Sequence, residues 1–220
     1  MFPNWAKSIL FLLVYMISGL VLVIIIEGLL SGSDLTPLNT AVQNVIVHLR
    51  TPIVTTAIVW ITRIGNPFVI ASIALFISVI LILKRNPYEA MLFLVSMIVA
   101  VISFTILKNV FQVSRPVSDI YKIEGWSFPS GHAAVSTAFF FMLAHIFWGK
   151  MKSTTGRVCL IVGSILGIAF ICFSRLYLGA HWALDVLAGM ALGALSVSFT
   201  VLMFSLLLSH RRSVRKIIDL

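Results

Sequence analysis

The chain has 220 residues, of which 60% are hydrophobic and 10% are charged, and its formal net charge is +9. A soluble domain would hold about 25% charged residues, so this composition excludes an ordinary soluble domain. It also excludes a β-barrel, whose strands alternate apolar and polar residues instead of running continuously apolar. Because the basic residues lie between and after the apolar runs, the positive charge indicates membrane topology and not nucleic-acid binding.

In chain order, the apolar runs predict six membrane-spanning helices, at residues 9–30, 67–83, 89–107, 131–148, 157–174 and 182–208. Such runs match the roughly 30 Å hydrocarbon core of a bilayer. The first run could instead be a signal peptide, but it exceeds the usual ~7–15 apolar residues, so we expect a retained anchor. A basic tail follows from His210. No internal repeat divides the chain, which predicts a single all-α, polytopic membrane domain over residues 1–220.

The segment between the first two spans, 34–63, has a different pattern. Apolar residues recur there at helical spacing and polar residues fill the opposite face; they are Leu38, Val42, Val45, Ile46, Leu49 and Ile53 against Asn39, Gln43, Asn44, His48 and Arg50. This pattern predicts an amphipathic helix that lies along the membrane surface or packs on the bundle. We expect Pro52 to break it.

The distribution of Lys and Arg favours cytoplasmic N- and C-termini in a cell or plasma membrane. With that orientation, ten of the 16 basic residues are cytoplasmic, as the positive-inside rule requires. Lys108, Arg115 and Arg175 are exceptions, because they lie outside, at or near helix ends and close to histidines. The topology therefore predicts a functional site at the outer face.

Four polar clusters share that face: Lys108; Arg115-Pro116; Pro129-Ser130-Gly131-His132; and Ser174-Arg175 with His181 and Asp185. Each has a structural interpretation on its own. A lysine at a helix end snorkels, Ser130 is a helix N-cap, and His181 with Asp185 is a helix-stabilising pair. Together, however, three cations, two histidines and a carboxylate on one membrane face require a shared anionic partner or a water-filled site.

The chemistry of these clusters suits a phosphate. Lys108, Arg115 and Arg175 supply positive charge, and guanidinium groups bind phosphate oxygens in pairs. Ser130 and Gly131 open a helix whose free N–H groups favour an anion. This face lacks the Asp/Glu cluster that holds Mg²⁺, so we expect neither a metal nor another cofactor.

The histidines predict a nucleophile and an acid. His181 precedes Asp185 by one helical turn, so the carboxylate can hold one imidazole nitrogen and leave the other to attack phosphorus. His132, on another helix, can protonate the leaving oxygen as a general acid.

These motifs resemble the three-part signature of the type 2 phosphatidic acid phosphatase superfamily, which includes lipid phosphate phosphatases, glucose-6-phosphatases and vanadium haloperoxidases. The three parts are Lys108-x6-Arg115-Pro116, Pro129-Ser130-Gly131-His132 and Ser174-Arg175-x5-His181-x3-Asp185, complete and in order over residues 108–185. The six-span layout is similar to that of bacterial members that act on phosphatidylglycerophosphate and undecaprenyl diphosphate.

The resemblance implies a lipid phosphatase in which His181 forms a phosphohistidine oriented by Asp185, and in which His132 protonates the leaving group and then activates water. It also implies that five residues bind the phosphoryl oxygens: Lys108, Arg115, Ser130, Gly131 and Arg175. Undecaprenyl diphosphate, phosphatidylglycerophosphate and phosphatidate all qualify as substrates embedded in the bilayer.

Two other functions stay open. A lipid phosphotransferase would use the same phosphohistidine with an acceptor other than water. An anion channel or transporter would explain the cations, but not a His–Asp pair at one-turn spacing beside a second histidine. The sequence does not predict the oligomeric state.

Overall fold

The computed structural model describes residues 4–31, 36–118, 120 and 124–218, and the side chains of 5–31, 37–118, 120 and 124–208. Within these ranges the chain forms eight α-helices and no β-strand, so the predicted all-α class is confirmed. In chain order the helices are α1 (Asn4–Leu30), α2 (Thr36–Val47), α3 (Pro52–Ile64), α4 (Pro67–Leu83), α5 (Pro87–Phe111), α6 (Gly131–Trp148), α7 (Thr154–Tyr177) and α8 (Ala183–Ile218).

Five helices are long and apolar enough to cross a membrane alone: α1, α5, α6, α7 and the part of α8 up to Leu208. Helix α4 has the predicted bounds, but its 17 residues are fewer than the roughly 20 that span a bilayer. Joined to α3 across a bend of 47°, it is long and apolar enough for a broken span or a re-entrant loop. Over the described residues the protein is therefore polytopic, with five or six spans.

The segment predicted as one amphipathic helix, 34–63, consists of two helices, with positions 34 and 35 outside the described residues. The predicted break at Pro52 is confirmed, because α2 ends at Val47 and α3 begins at that proline. The Thr51 hydroxyl caps α3 by accepting from the Val54 N–H at 3.3 Å. Helix α2 packs against α7 and α8, and α3 packs against α7 and α4, so the segment packs on the bundle.

Helix α6 is the centre of the bundle. It packs against α4, α5, α7 and α8, and 11 of its 18 residues are buried. Two glycines of α8 allow a close approach: a Cβ at Gly189 would lie 2.5 Å from the Ser130 carbonyl oxygen, and one at Gly193 would lie 2.3 Å from that of Ala134. Small residues at a helix interface let backbones touch in this way. The contact places the first turns of α6 and α8 side by side.

Helix α8 extends past the predicted end of its span. The helix continues from Leu208 to Ile218, so the stretch predicted as a basic tail from His210 is helical in this structure. Its side chains lie outside the described part of the chain.

Candidate active site

Four helix ends meet at one end of the bundle. The Ser130 N–H donates to the Asp185 carbonyl oxygen at 2.9 Å, which joins the starts of α6 and α8. Lys108 and Arg175 lie in the last turns of α5 and α7. Lys108 interacts electrostatically with Arg115, Asp185 and Arg175. The structure therefore brings together the four polar clusters that the sequence placed on one face.

Two connections complete this end of the bundle. One joins α5 to α6 and is described at 112–118, 120 and 124–130; the other, residues 178–182 between α7 and α8, is called here the His181 turn. His181 has only 2% of its surface exposed. It lies between a carboxylate on one side and a guanidinium group on the other.

The carboxylate side of His181 contains a residue that the motif analysis missed. The His181 Nδ1 lies 3.6 Å from the Asp185 Oδ2, which is longer than a hydrogen bond. The Ser127 hydroxyl lies 3.3 Å from the same Nδ1 and donates to Asp185 Oδ2. The Trp182 N–H also donates to that oxygen, at 2.8 Å. The predicted direct contact is thus replaced by one that runs through a serine hydroxyl.

The other imidazole nitrogen faces positive charge. The Arg115 Nη1 lies 3.3 Å from the His181 Nε2 and donates to the Ala180 carbonyl oxygen at 2.7 Å. The Arg115 Nε donates to the Gly125 carbonyl at 2.9 Å. Lys108 Nζ donates to the next carbonyl, that of Trp126, also at 2.9 Å. Carbonyl groups carry no net charge, so these partners orient the two cations without forming ion pairs with them.

Arg175 is anchored from α3. Its side chain is buried, and its Nη1 donates to the Thr62 hydroxyl at 2.5 Å. Thr62 is itself only 2% exposed. Sequence analysis missed Thr62, because a threonine near the end of an apolar helix has no feature that points to a partner 113 residues away.

The start of α6 supplies the remaining predicted residues. Ser130 is the N-cap, as predicted, with its hydroxyl 3.5 Å from the Ala133 N–H. A Cβ at Gly131 would lie 3.1 Å from the ring of Phe104, so the glycine also leaves room for that ring. His132 is half-buried and interacts electrostatically with the surrounding basic residues and histidine: Arg175, His181, Lys108 and Arg115.

The His181 turn is held by α2 and by the chain just after it. The Gln43 amide donates to the His181 carbonyl oxygen at 3.3 Å, and Asn39 Oδ1 accepts from the Leu184 N–H at 3.2 Å. The Arg50 Nε donates to the Tyr177 carbonyl at 3.0 Å. These residues formed the polar face of the predicted amphipathic segment. That polar face indicated that the segment has polar partners, but the sequence did not identify them as the backbone groups around His181.

The α5–α6 connection holds the same turn from a second side. The Ser118 hydroxyl donates to the Leu178 carbonyl at 2.7 Å, and the Trp182 indole N–H donates to the Ser114 carbonyl at 3.0 Å. The turn that carries His181 is therefore held from two sides by hydrogen bonds that do not involve the imidazole ring.

The electrostatics of the site keep His181 uncharged. Burial lowers the pKa of His181 well below its ordinary value. Nearby positive charges lower that pKa further; they belong to Arg175, Arg115 and Lys108. Burial also lowers the pKa of Arg115, and the charge of Asp185 opposes this shift. A neutral imidazole carries a lone pair on one nitrogen, so the arrangement can offer a nitrogen nucleophile to a bound phosphoryl group.

The chain is similar in sequence to a known family and to individual known proteins. Residues 89–208 match the family model of the PAP2 superfamily. Undecaprenyl-diphosphatase of Sulfolobus acidocaldarius is 29% identical over 151 residues, which cover 62% of this chain and 64% of that protein. Phosphatidylglycerophosphatase B of Bacillus subtilis is 25% identical over 164 residues, which cover 71% of this chain and 78% of that protein. The chain thus spans just under two thirds of the first relative.

A solved structure shares the fold. The crystal structure of a transmembrane PAP2-type phosphatidylglycerolphosphate phosphatase from Bacillus subtilis superposes with a TM-score of 0.69. The match covers 90% of this chain and 96% of that one, at 22% sequence identity.

Proposed function

Because the chain belongs to the PAP2 superfamily, we propose that it is an integral-membrane lipid phosphate phosphatase that works through a phosphohistidine on His181. The setting of His181 carries this proposal. One imidazole nitrogen faces Ser127 and, behind it, Asp185, while the other faces the Arg115 guanidinium. A nucleophilic nitrogen placed among cations fits a reaction in which an anionic phosphoryl group is attacked.

In the first step, the His181 Nε2 lone pair attacks phosphorus. A P–N bond forms and the bond from phosphorus to the leaving oxygen breaks. His132 donates a proton to that oxygen, so the lipid departs as an alcohol from a monoester or as a monophosphate from a diphosphate. The ring gains positive charge as it attacks, and the Asp185 carboxylate stabilises that charge.

The phosphoryl oxygens are held throughout by the basic side chains and the start of α6. Lys108, Arg115 and Arg175 bind them through charge-assisted hydrogen bonds. Ser130 contributes its hydroxyl, since its own N–H donates to the Asp185 carbonyl oxygen. Gly131 contributes its N–H at a helix N-terminus, where an anion is favoured. Since cations already neutralise the phosphate, the proposed reaction uses no metal.

In the second step, His132 takes back a proton from a water molecule. The water oxygen forms a bond to phosphorus, the P–N bond breaks, and inorganic phosphate leaves. His181 returns to its neutral state, and no further reactant is needed.

The substrate we propose is a lipid whose phosphate lies at the bilayer surface. Relatives of this chain are named for undecaprenyl diphosphate and for phosphatidylglycerophosphate, and phosphatidate has the same chemistry. The site lies at the ends of spanning helices, where such a headgroup would reach it.

Phosphate release from these three lipids in detergent, with EDTA present, tests the proposal. Wild-type protein should release inorganic phosphate, and His181→Ala should lower kcat at least about 1,000-fold. The control is His48→Ala, which removes an exposed histidine between α2 and α3. Wild-type turnover by His181→Ala would contradict the proposed phosphohistidine mechanism. Loss of wild-type turnover in EDTA would show that a metal takes part.

The same assay separates a hydrolase from a phosphotransferase. A hydrolase releases labelled phosphate into water, whereas a phosphotransferase passes it to an added sugar or lipid and releases little by itself. If label moves to an acceptor faster than to water, the chain is a transferase.

We also propose that both termini are cytoplasmic and that the site opens to the outer face of a cell membrane. The test introduces Val117→Cys or Lys152→Cys, at exposed positions near opposite bundle ends, into a chain from which Cys159 and Cys172 have been removed. An impermeant thiol reagent added to intact cells should label only the cysteine at 117. Labelling at 152 alone would place the site in the cytoplasm.

A further inference from the structure

Ser127 lies outside the signature motifs, two residues before Pro129, and its side chain is fully buried. Its N–H donates to the Val113 carbonyl at 2.7 Å, which fixes the backbone at this point. Its hydroxyl contacts two groups at once, the Asp185 carboxylate and the His181 Nδ1. A buried hydroxyl needs one partner, which a backbone carbonyl usually supplies. This one lies between the two side chains of the proposed nucleophilic pair.

The roles of the three groups follow from counting hydrogens. An ionised carboxylate only accepts, and a serine hydroxyl has one hydrogen to give. Because Ser127 gives that hydrogen to Asp185, its oxygen can only accept from His181. The neutral imidazole must then carry its hydrogen on Nδ1, which leaves the lone pair on Nε2.

The direct route between His181 and Asp185 is incomplete. Their closest atoms are 3.6 Å apart, beyond hydrogen-bond range. The carboxylate oxygen is also held from the other side by the Trp182 N–H. The backbone of Ser127 also bonds to the His181 ring, but only the hydroxyl connects that ring to the carboxylate.

We propose that Ser127 is a positioning residue that connects Asp185 to His181 through its hydroxyl and so fixes which imidazole nitrogen is free to attack phosphorus. This inference rests on the proposed phosphohistidine reaction. The side-chain contacts of its hydroxyl are with Asp185 and His181. It acts by orienting His181 and by coupling the ring to the negative charge of Asp185.

The test compares Ser127→Ala with wild type by steady-state kinetics on the best lipid substrate. We expect kcat to fall about 10- to 100-fold, the scale found for residues that orient a functional histidine. KM should change little, because the phosphate-binding cations are untouched. The matched control is Ser196→Ala, which removes another buried hydroxyl whose partner is the Leu192 carbonyl, and kcat should stay at the wild-type level.

A second measurement separates positioning from loss of stability. If Ser127 acts through Asp185, then Ser127→Ala should lower kcat much less in an Asp185→Asn background than in wild type. The fall in kcat of the double variant should therefore be much smaller than the product of the two single falls. Additive losses would overturn the inference. So would a kcat for Ser127→Ala within twofold of wild type at equal folded protein.

A third variant guards against poor folding of the alanine protein. Ser127→Cys keeps the site filled but offers only a weak hydrogen bond, so it should show the same loss of kcat with a wild-type melting temperature. Full activity in this variant would overturn the inference. If wild type itself releases no phosphate from any lipid, the proposed function fails instead, so the two failures can be told apart.

Discussion

The α6–α8 contact and the contact between α2 and the His181 turn hold one site in two different ways. Helices α6 and α8 meet backbone to backbone at Gly189 and Gly193, where a single added methyl group would overlap a carbonyl oxygen. Helix α2 reaches the turn and the start of α8 through side-chain hydrogen bonds of 3.2–3.3 Å, from Gln43 and Asn39. Ile46 of α2 also packs in one apolar cluster with Leu178 and Ala180 of the turn. Close backbone packing therefore sets the positions of His132 and Asp185, while side-chain contacts orient the turn that carries His181.

Adding one carbon atom at the α6–α8 contact should have a large effect on both stability and activity. In Gly193→Ala the new Cβ would lie 2.3 Å from a backbone oxygen that cannot rotate away. We expect a loss of about 1–3 kcal/mol of stability and a large fall in kcat, because the two helix starts must move apart. Melting temperature in detergent and phosphate release measure both.

The matched control for that change is Gly163→Ala in α7, where an added Cβ would meet nothing within 4 Å. This variant should melt at or slightly above the wild-type temperature, since alanine favours a helix over glycine. Equal melting temperatures for the two variants would mean that the α6–α8 contact yields more readily than its geometry indicates.

A smaller effect should follow from loosening the polar contact. Gln43→Ala removes one hydrogen bond to the His181 carbonyl, worth about 0.5–1.5 kcal/mol. We expect kcat to fall about 2- to 10-fold with little change in melting temperature. The neighbouring exposed residue provides the control, Asn44→Ala, which should match wild type. A large drop in melting temperature for Gln43→Ala alone would show that α2 holds the fold as a whole.

The smallest expected effect is a pH dependence of stability. Burial and nearby cations lower the pKa of His181 in the folded protein. Below about pH 6.5, this residue is therefore protonated in the unfolded chain but still neutral in the folded protein. The contribution of the neutral His181 to the free energy of unfolding is therefore fully present above that pH, and it is lost as the pH falls below it. Between pH 7.5 and pH 5, the melting temperature of wild type should fall further than that of His181→Gln. An equal fall in both proteins would contradict a neutral His181.

The helix pattern of this protein was largely predictable from local signals. The bounds of α4 and α6 agree with the predicted spans 67–83 and 131–148, because Asn66 and Ser130 cap them and the apolar runs begin at once. The predicted span 89–107 is shorter than α5, which ends at Phe111. Lys108 lies inside the last turn of that helix, and its Nζ reaches the Trp126 carbonyl from there. The division of 34–63 into two helices followed from Pro52.

The site was predictable only where it forms a motif. Charges and histidines at fixed spacings indicated an anion site, because those residue types are costly in a membrane. Ser127, Thr62 and Gln43 carry no such cost and were missed. Gln43 meets a backbone oxygen 138 residues away, and Ser127 looks like any small residue before a turn. Partners of this kind depend on packing that composition and spacing do not specify.

The contact between Arg115 and the His181 Nε2 has a consequence for the order of events in the proposed reaction. The guanidinium faces the same nitrogen whose lone pair that reaction needs. An arriving phosphate offers that guanidinium stronger acceptors, so the same event that fills the site also uncovers the nitrogen. In the proposed reaction, Arg115 therefore has two roles in sequence: its N–H moves from the His181 Nε2 to a phosphoryl oxygen, and the exposed nitrogen then attacks phosphorus.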